Sequence, residues 1–127
     1  MLKYVLAVVV AFLFVGCANK NEVTISNIAD GAIYINFRAE VHTIYPNGSA
    51  TIDDIPNGIY DYSTTYAVPA GYTGQVSGDA AAGTLTFEDK NTKIQFIYSS
   101  TKSDTTYTLG CTKSSTLNLN QSTTSTE

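Results

Sequence analysis

Two cysteines, one histidine and a scatter of carboxylates are the side chains in this 127-residue chain whose chemistry could define an activity. Cys17 ends the stretch Phe12-Leu13-Phe14-Val15-Gly16, and polar sequence follows at once. A thiol there could close a disulfide with Cys111, sit buried, or be modified. Cys111 lies in Tyr107-Thr108-Leu109-Gly110-Cys111, with no histidine or basic cluster beside it to lower its pKa. It reads as a buried, inert thiol. A lone histidine, His42, excludes a multi-histidine zinc site and reads as a solvated strand residue between Glu40 and Thr43. Asp53, Asp54 and Asp61 could meet across a hairpin and offer oxygen ligands to calcium. Their spacing is not that of a calcium-binding loop, so they read as solvated acids. A carboxylate pair for glycoside hydrolysis would need a deep cleft, which a small β domain seldom supplies. Nine tyrosines and no tryptophan leave one further option. Tyr34, Tyr45 and Tyr72 are the candidates for an exposed surface that stacks on a sugar or docks on a protein.

The elements around these residues narrow the choice. Tyr4 to Val15 is an unbroken apolar run of 12. A membrane-spanning helix needs about 20 such residues; the hydrophobic region of a signal peptide needs about 7–15. Lys3 supplies a positive flank, and Gly16 is small enough for a cleavage position. Removing the first 16 of 127 residues leaves 111, with six basic side chains against eleven acidic ones. No basic patch is present, so the charge pattern excludes nucleic acid as a partner. A domain of this size can bury enough surface to fold without a disulfide or a metal.

Past Glu22 the pattern is β throughout. Residues 32–38 alternate cleanly, with Ile33, Ile35 and Phe37 on one face and Tyr34, Asn36 and Arg38 on the other. Segments 23–28, 41–45, 49–54, 59–68, 83–88, 93–99 and 105–111 read as further strands or extended chain. In 59–68 the face carrying Tyr60, Tyr62, Thr64, Tyr66 and Val68 is expected to be the core face. Residues 69–83, with Pro69 and four glycines, read as loop. The fold class is all-β, a single antiparallel β-sandwich of about seven strands, with a small barrel as the alternative. The expected divisions are 1–16 signal peptide, 17–22 tether, 23–113 sandwich and 114–127 a polar, largely disordered tail.

Two resemblances sharpen this reading. Phe14-Val15-Gly16-Cys17 resembles a bacterial lipobox, with Phe14 where the family's usual first residue is Leu. The resemblance implies cleavage after Gly16, a diacylglycerol on the Cys17 sulfur and an N-acyl lipid on the new terminus. Stable anchoring takes two such membrane signals, which the acyl chains would supply. It also implies export and attachment to the cell envelope, and Ala18 after the cysteine fits the outer membrane of a Gram-negative cell. The alternative is a secreted protein with a Cys17–Cys111 disulfide.

Ile55-Pro56-Asn57-Gly58-Ile59-Tyr60 and Val68-Pro69-Ala70-Gly71-Tyr72 resemble the paired turns of prealbumin-like β-sandwiches of the CnaB/SpaA type, found in bacterial surface proteins. Carboxypeptidase regulatory-like domains share a similar turn. Many CnaB-type domains carry a glutamate that promotes an internal isopeptide bond. The matching position here is Thr64 or Thr65, so no such bond is expected.

The expected function is therefore non-catalytic, without a cofactor. A lipid-anchored envelope sandwich would serve as a structural, adhesive or protein-interaction module. The alternatives are a glycan- or small-ligand-binding module using the tyrosines and the 69–83 loop, or an accessory or inhibitor subunit of an envelope protein.

Overall fold

The structure, a computed structural model, describes residues 18–117. They form nine strands: β1 (Glu22–Asn27), β2 (Ile33–Phe37), β3 (Glu40–Ile44), β4 (Ser49–Ile52), β5 (Gly58–Tyr66), β6 (Thr73–Val76), β7 (Ala82–Phe87), β8 (Lys93–Ser103) and β9 (Thr106–Ser115). One short 3-10 turn, Gly78–Ala80, lies between β6 and β7. The strands make two sheets, ordered β4-β1-β8-β9-β6 and β3-β2-β5-β7, packed face to face. The chain is a β-sandwich.

Period-two alternation sets the core. Val23 and Ile25 of β1, Ile33, Ile35 and Phe37 of β2, and Ile94, Phe96 and Tyr98 of β8 are all buried. The expected face of β5 is the inner one. Tyr62 and Thr64 are buried, while Asp61, Ser63 and Thr65 face water. Aromatic rings interlock across the layers, where Tyr62 meets Phe96 edge-on at 5.0 Å, and within one sheet, where Tyr60 lies edge-on to both Phe37 and Phe87. Edge-to-face pairs of this kind add about 0.5–1.5 kcal/mol beyond the area they bury.

Three features differ from the sequence expectation. There are nine strands rather than about seven, and two of the pairings, β1 with β8 and β6 with β9, are parallel. The 69–83 segment is not all loop, because Thr73–Val76 adds an edge strand to β9. Its glycine reads as a turn signal but has a packing role. A Cβ on Gly74 would stand 2.7 Å from the Tyr66 hydroxyl and 2.8 Å from a Val68 methyl. Lastly, β8 and β9 run on to Ser103 and Ser115 as one long hairpin. The added residues are polar on both faces, so no alternation marks them.

The divisions shift accordingly. Glu22 is already in β1, and Asn21 just before it is fully buried. The tail from residue 118, like the apolar run, Gly16 and Cys17, lies outside the described residues.

Candidate functional site

The sandwich has two ends, and a buried asparagine stands at each: Asn21 just before β1 and Asn27 at its last position. At the end where the described chain begins, here called the base, Asn21 is the hub. Its side-chain amide donates to the Ile55 carbonyl at 2.8 Å and to Asn57 Oδ1 at 2.9 Å. Its Oδ1 accepts the Thr92 backbone N–H at 2.8 Å. Asn19 donates to the same Ile55 carbonyl, and the Lys20 N–H donates to the Lys90 carbonyl at 2.7 Å. Asn57 Oδ1 also accepts the Lys90 N–H.

The Ile55-Pro56-Asn57-Gly58 turn is thus a socket for the leading segment. Ile55 is the apolar floor, with no exposed surface. Gly58, at φ +153°, lets β5 start in a conformation that L side chains rarely adopt. Tyr60 packs its ring inward and donates its hydroxyl back to the Pro56 carbonyl at 2.8 Å.

At the other end, the tip, Asn27 has the same office. Its amide donates to the carbonyls of Ile44 and Gly31, and its Oδ1 accepts the Ala29 N–H. Its backbone pairs with Asn47 and Gly48. The Tyr107 hydroxyl accepts the Gly31 N–H at 3.2 Å, and the Ala67 N–H donates to the Ala32 carbonyl. Three loops are held together in this way: 28–32, 45–48 and 67–72.

These loops expose apolar side chains. Ile28 is 61% exposed, Tyr45 69% and Val68 38%. Of the tyrosines singled out in the sequence, Tyr45 is exposed, whereas Tyr34 and Tyr72 are half-buried. All three belong to the tip half. Tyr34 lies on the outer face of its sheet between Thr43 and Thr65. Tyr72 carries the Lys102 ammonium 5.2 Å from its ring centre, and Lys102 also pairs with Asp30 at 3.2 Å. Val68, expected on the core face of the 59–68 segment, is instead exposed because β5 ends at Tyr66 and the chain leaves the sheet before it; the sequence did not single out Ile28. Ile28 lies just past the end of β1, out of phase with the inward Val23 and Ile25.

Between the sheets lies a small set of polar groups. Thr64 Oγ1 and the Tyr98 hydroxyl are 3.0 Å apart in the core. Burial raises the Tyr98 and Tyr62 hydroxyls well above the usual tyrosine range. Tyr62 donates to the Asp79 carbonyl at 2.8 Å, which pins the 3-10 turn across the open side of the sandwich. Lys113 braces the same turn through the Asp79 carboxylate at 3.2 Å and stands over the Tyr62 ring. Cys111 is half-buried here, and burial, with Asp79 nearby, pushes its thiol up to about 11. That is the environment of an inert thiol rather than a nucleophile.

His42 is half-buried on the inner side of β3, 4.0 Å from the Glu40 carboxylate, rather than fully solvated. Asp53 and Asp54 lie in the base loop before β5, and Asp61 faces outward from β5 opposite Thr84. Among the described residues, no three His, Cys, Asp or Glu side chains are placed to hold a metal ion. No described helix is long and apolar enough to cross a membrane. A cleft of about 230 Å³ beside Lys113 is lined by Thr84, Thr86, Ile94 and Ser115. An open groove of about 470 Å³ over β6 is lined by Tyr66, Gly74, Gln75, Val76, Ser77 and Thr108, with no charged side chain. No protein-family model matches the chain, and no curated protein matches it.

Proposed function

We propose that the chain is a lipid-anchored β-sandwich of the bacterial cell envelope, a non-catalytic module that binds another envelope protein through its tip. The observation that carries this reading is the polarity of the fold. The chain comes in at the base, where Asn19 and Asn21 are clamped, and the apolar side chains exposed on loops, Ile28, Tyr45 and Val68, lie at the opposite end; the other two exposed apolar residues, Ile59 and Val41, lie on strands β5 and β3 toward the base. A protein held by its leading residue would present that tip away from the membrane. Isolated exposed apolar side chains are common on protein surfaces; these three sit on loops tied to one another, 28–32 and 45–48 through Asn27 and 67–72 through the Ala67 N–H on the Ala32 carbonyl.

The same geometry favours a lipid on Cys17 over a disulfide. Cys111 is level with Tyr98, five residues along β8 from Lys93, which pairs with Glu22 at the base. Five strand residues cover about 17 Å. The two residues from Asn19 to Cys17 reach at most about 7 Å, and a disulfide needs Cα atoms within about 7 Å.

The test is photo-crosslinking in cells, with a benzophenone amino acid placed in turn at Ile28, Tyr45 and, as a base control, Asp53. A discrete protein adduct from the tip positions, lost when Val68→Glu is added, is expected. No adduct from Ile28 or Tyr45 sinks the tip reading. Fatty-acid probe labelling that is equal in wild type and Cys17→Ser sinks the anchor.

A further inference from the structure

We infer that the base of the sandwich rests directly on the lipid headgroups, held there by a leash of only two residues. This rests on the lipid-anchor reading of Cys17. The sequence alone suggests a six-residue tether, 17–22, that would let the domain tumble above the membrane. The structure removes most of it. Asn19 is bonded to Ile55, Lys20 to Lys90, and Asn21 to Ile55, Asn57 and Thr92. Ala18 is the one described residue before the first of these bonds. From an acylated Cys17 to docked Asn19 the chain spans at most about 7 Å. The acyl chains must lie in the hydrocarbon, so the surface around Asn19 cannot leave the headgroup layer.

That surface consists of the turn at Arg38–Ala39, the loop at 53–57 and the turn at 88–92, all at the same end. Its charges are Lys20, Arg38 and Lys90 against Asp53, Asp54, Glu88 and Asp89. A surface with that balance has no polybasic attraction for anionic lipid. The contact is therefore imposed by the leash and not by charge, and lengthening the leash should abolish it. The leash also fixes orientation. The 11 residues of β8 run about 33 Å from base to tip, so the β8–β9 turn stands well clear of the bilayer.

The experiment uses the full lipidated chain, purified from bacterial membranes and reconstituted in phosphatidylethanolamine–phosphatidylglycerol vesicles bearing a headgroup quencher. In a Cys111→Ser background, a fluorophore is attached at Asp53→Cys in the base loop or at Thr105→Cys in the tip turn. Quenching several-fold stronger at 53 than at 105 is expected. Ten Gly/Ser residues inserted between Ala18 and Asn19 should bring position 53 down toward the level of 105. Equal quenching at the two positions in the native chain, or no effect of the insertion, overturns the inference. Intact mass separates the two failures. A chain without acyl mass on Cys17 overturns the anchor reading and this inference with it. An acylated chain with equal quenching overturns this inference alone.

Discussion

Asn21 and Asn27 bracket β1 six residues apart, both fully buried, and each side chain ties together the loops at its own end of the sandwich. A strand with apolar residues Val23 and Ile25 between them thus ends, on its inner face, in two amides. Buried polar groups are tolerated only when partnered. Among the described residues, no buried side-chain nitrogen or oxygen lacks a partner.

Asn21→Ala should therefore cost about 2–4 kcal/mol, since each bond contributes about 1 kcal/mol and the stranded Thr92 amide adds a desolvation penalty. Asn27→Ala should cost a similar amount. Urea unfolding of each variant measures this. A loss below half a kcal/mol at Asn21 would mean that the socket does not hold.

The Thr64–Tyr98 pair gives a sharper test, because both partners can be replaced by near-isosteres. Tyr98→Phe alone and Thr64→Val alone should each destabilise by about 1–2 kcal/mol, as each leaves a buried hydroxyl without its partner. The double variant should recover much of that loss, with a coupling of about 1 kcal/mol in the cycle. Strict additivity would show that the 3.0 Å contact carries no energy.

The β2–β3 turn is strained. Arg38 and Ala39 both have positive φ, 55° and 60°, where a two-residue hairpin prefers Asn-Gly. For an L residue that conformation costs about 1–2 kcal/mol, part of which glycine returns as chain entropy. Ala39→Gly should raise stability by roughly 0.5–1 kcal/mol. A fall in the thermal midpoint would argue against this turn.

Cys111 sets a pH dependence. Its thiol is raised from 9.0 to about 11 in the folded state, first by burial. A raised folded pKa favours the protonated form. The stabilisation is complete below about pH 9 and is lost as pH rises through about 11. Tyr62 and Tyr98, raised by burial as well, act in the same direction at still higher pH. Stability should be flat from neutral pH to about 9 and fall above it, and Cys111→Ser should flatten the lower part of the fall. Iodoacetamide should label Cys111 slowly at pH 8 in the native protein and fully in urea.

Much of the sandwich is legible in single segments. The alternation of Ile33, Ile35 and Phe37, and of Ile94, Phe96 and Tyr98, names the core face because each pattern repeats every second residue. The aromatic face of β5 is legible for the same reason. What stays hidden depends on distant partners. Asn19 and Asn21 look like a solvated tether because the groups that bind them, Ile55, Asn57 and Thr92, lie 34 to 71 residues away. Gly74 looks like a loop residue because the obstacle it avoids is Tyr66 on another sheet. The tip surface is half legible: Tyr45 and the half-buried Tyr34 and Tyr72 lie there, but Ile28 joins it only once Asn27 has gathered the 28–32 and 45–48 loops, and Val68 only because β5 stops at Tyr66 and Ala67 docks on Ala32.

The parallel pairing of β1 with β8 sets an order of events. Glu22 pairs with Lys93, 71 residues on, and Asn21 waits for Thr92 across the same distance. A chain made from its N-terminus can bring β1 to β4 early, but the other side of β1 stays open until β8 has appeared. High contact order of this kind slows folding, because loop closure must precede the contacts that reward it. The strand that emerges first is completed among the last, so the two sheets cannot close over their shared core until β8 has been synthesised.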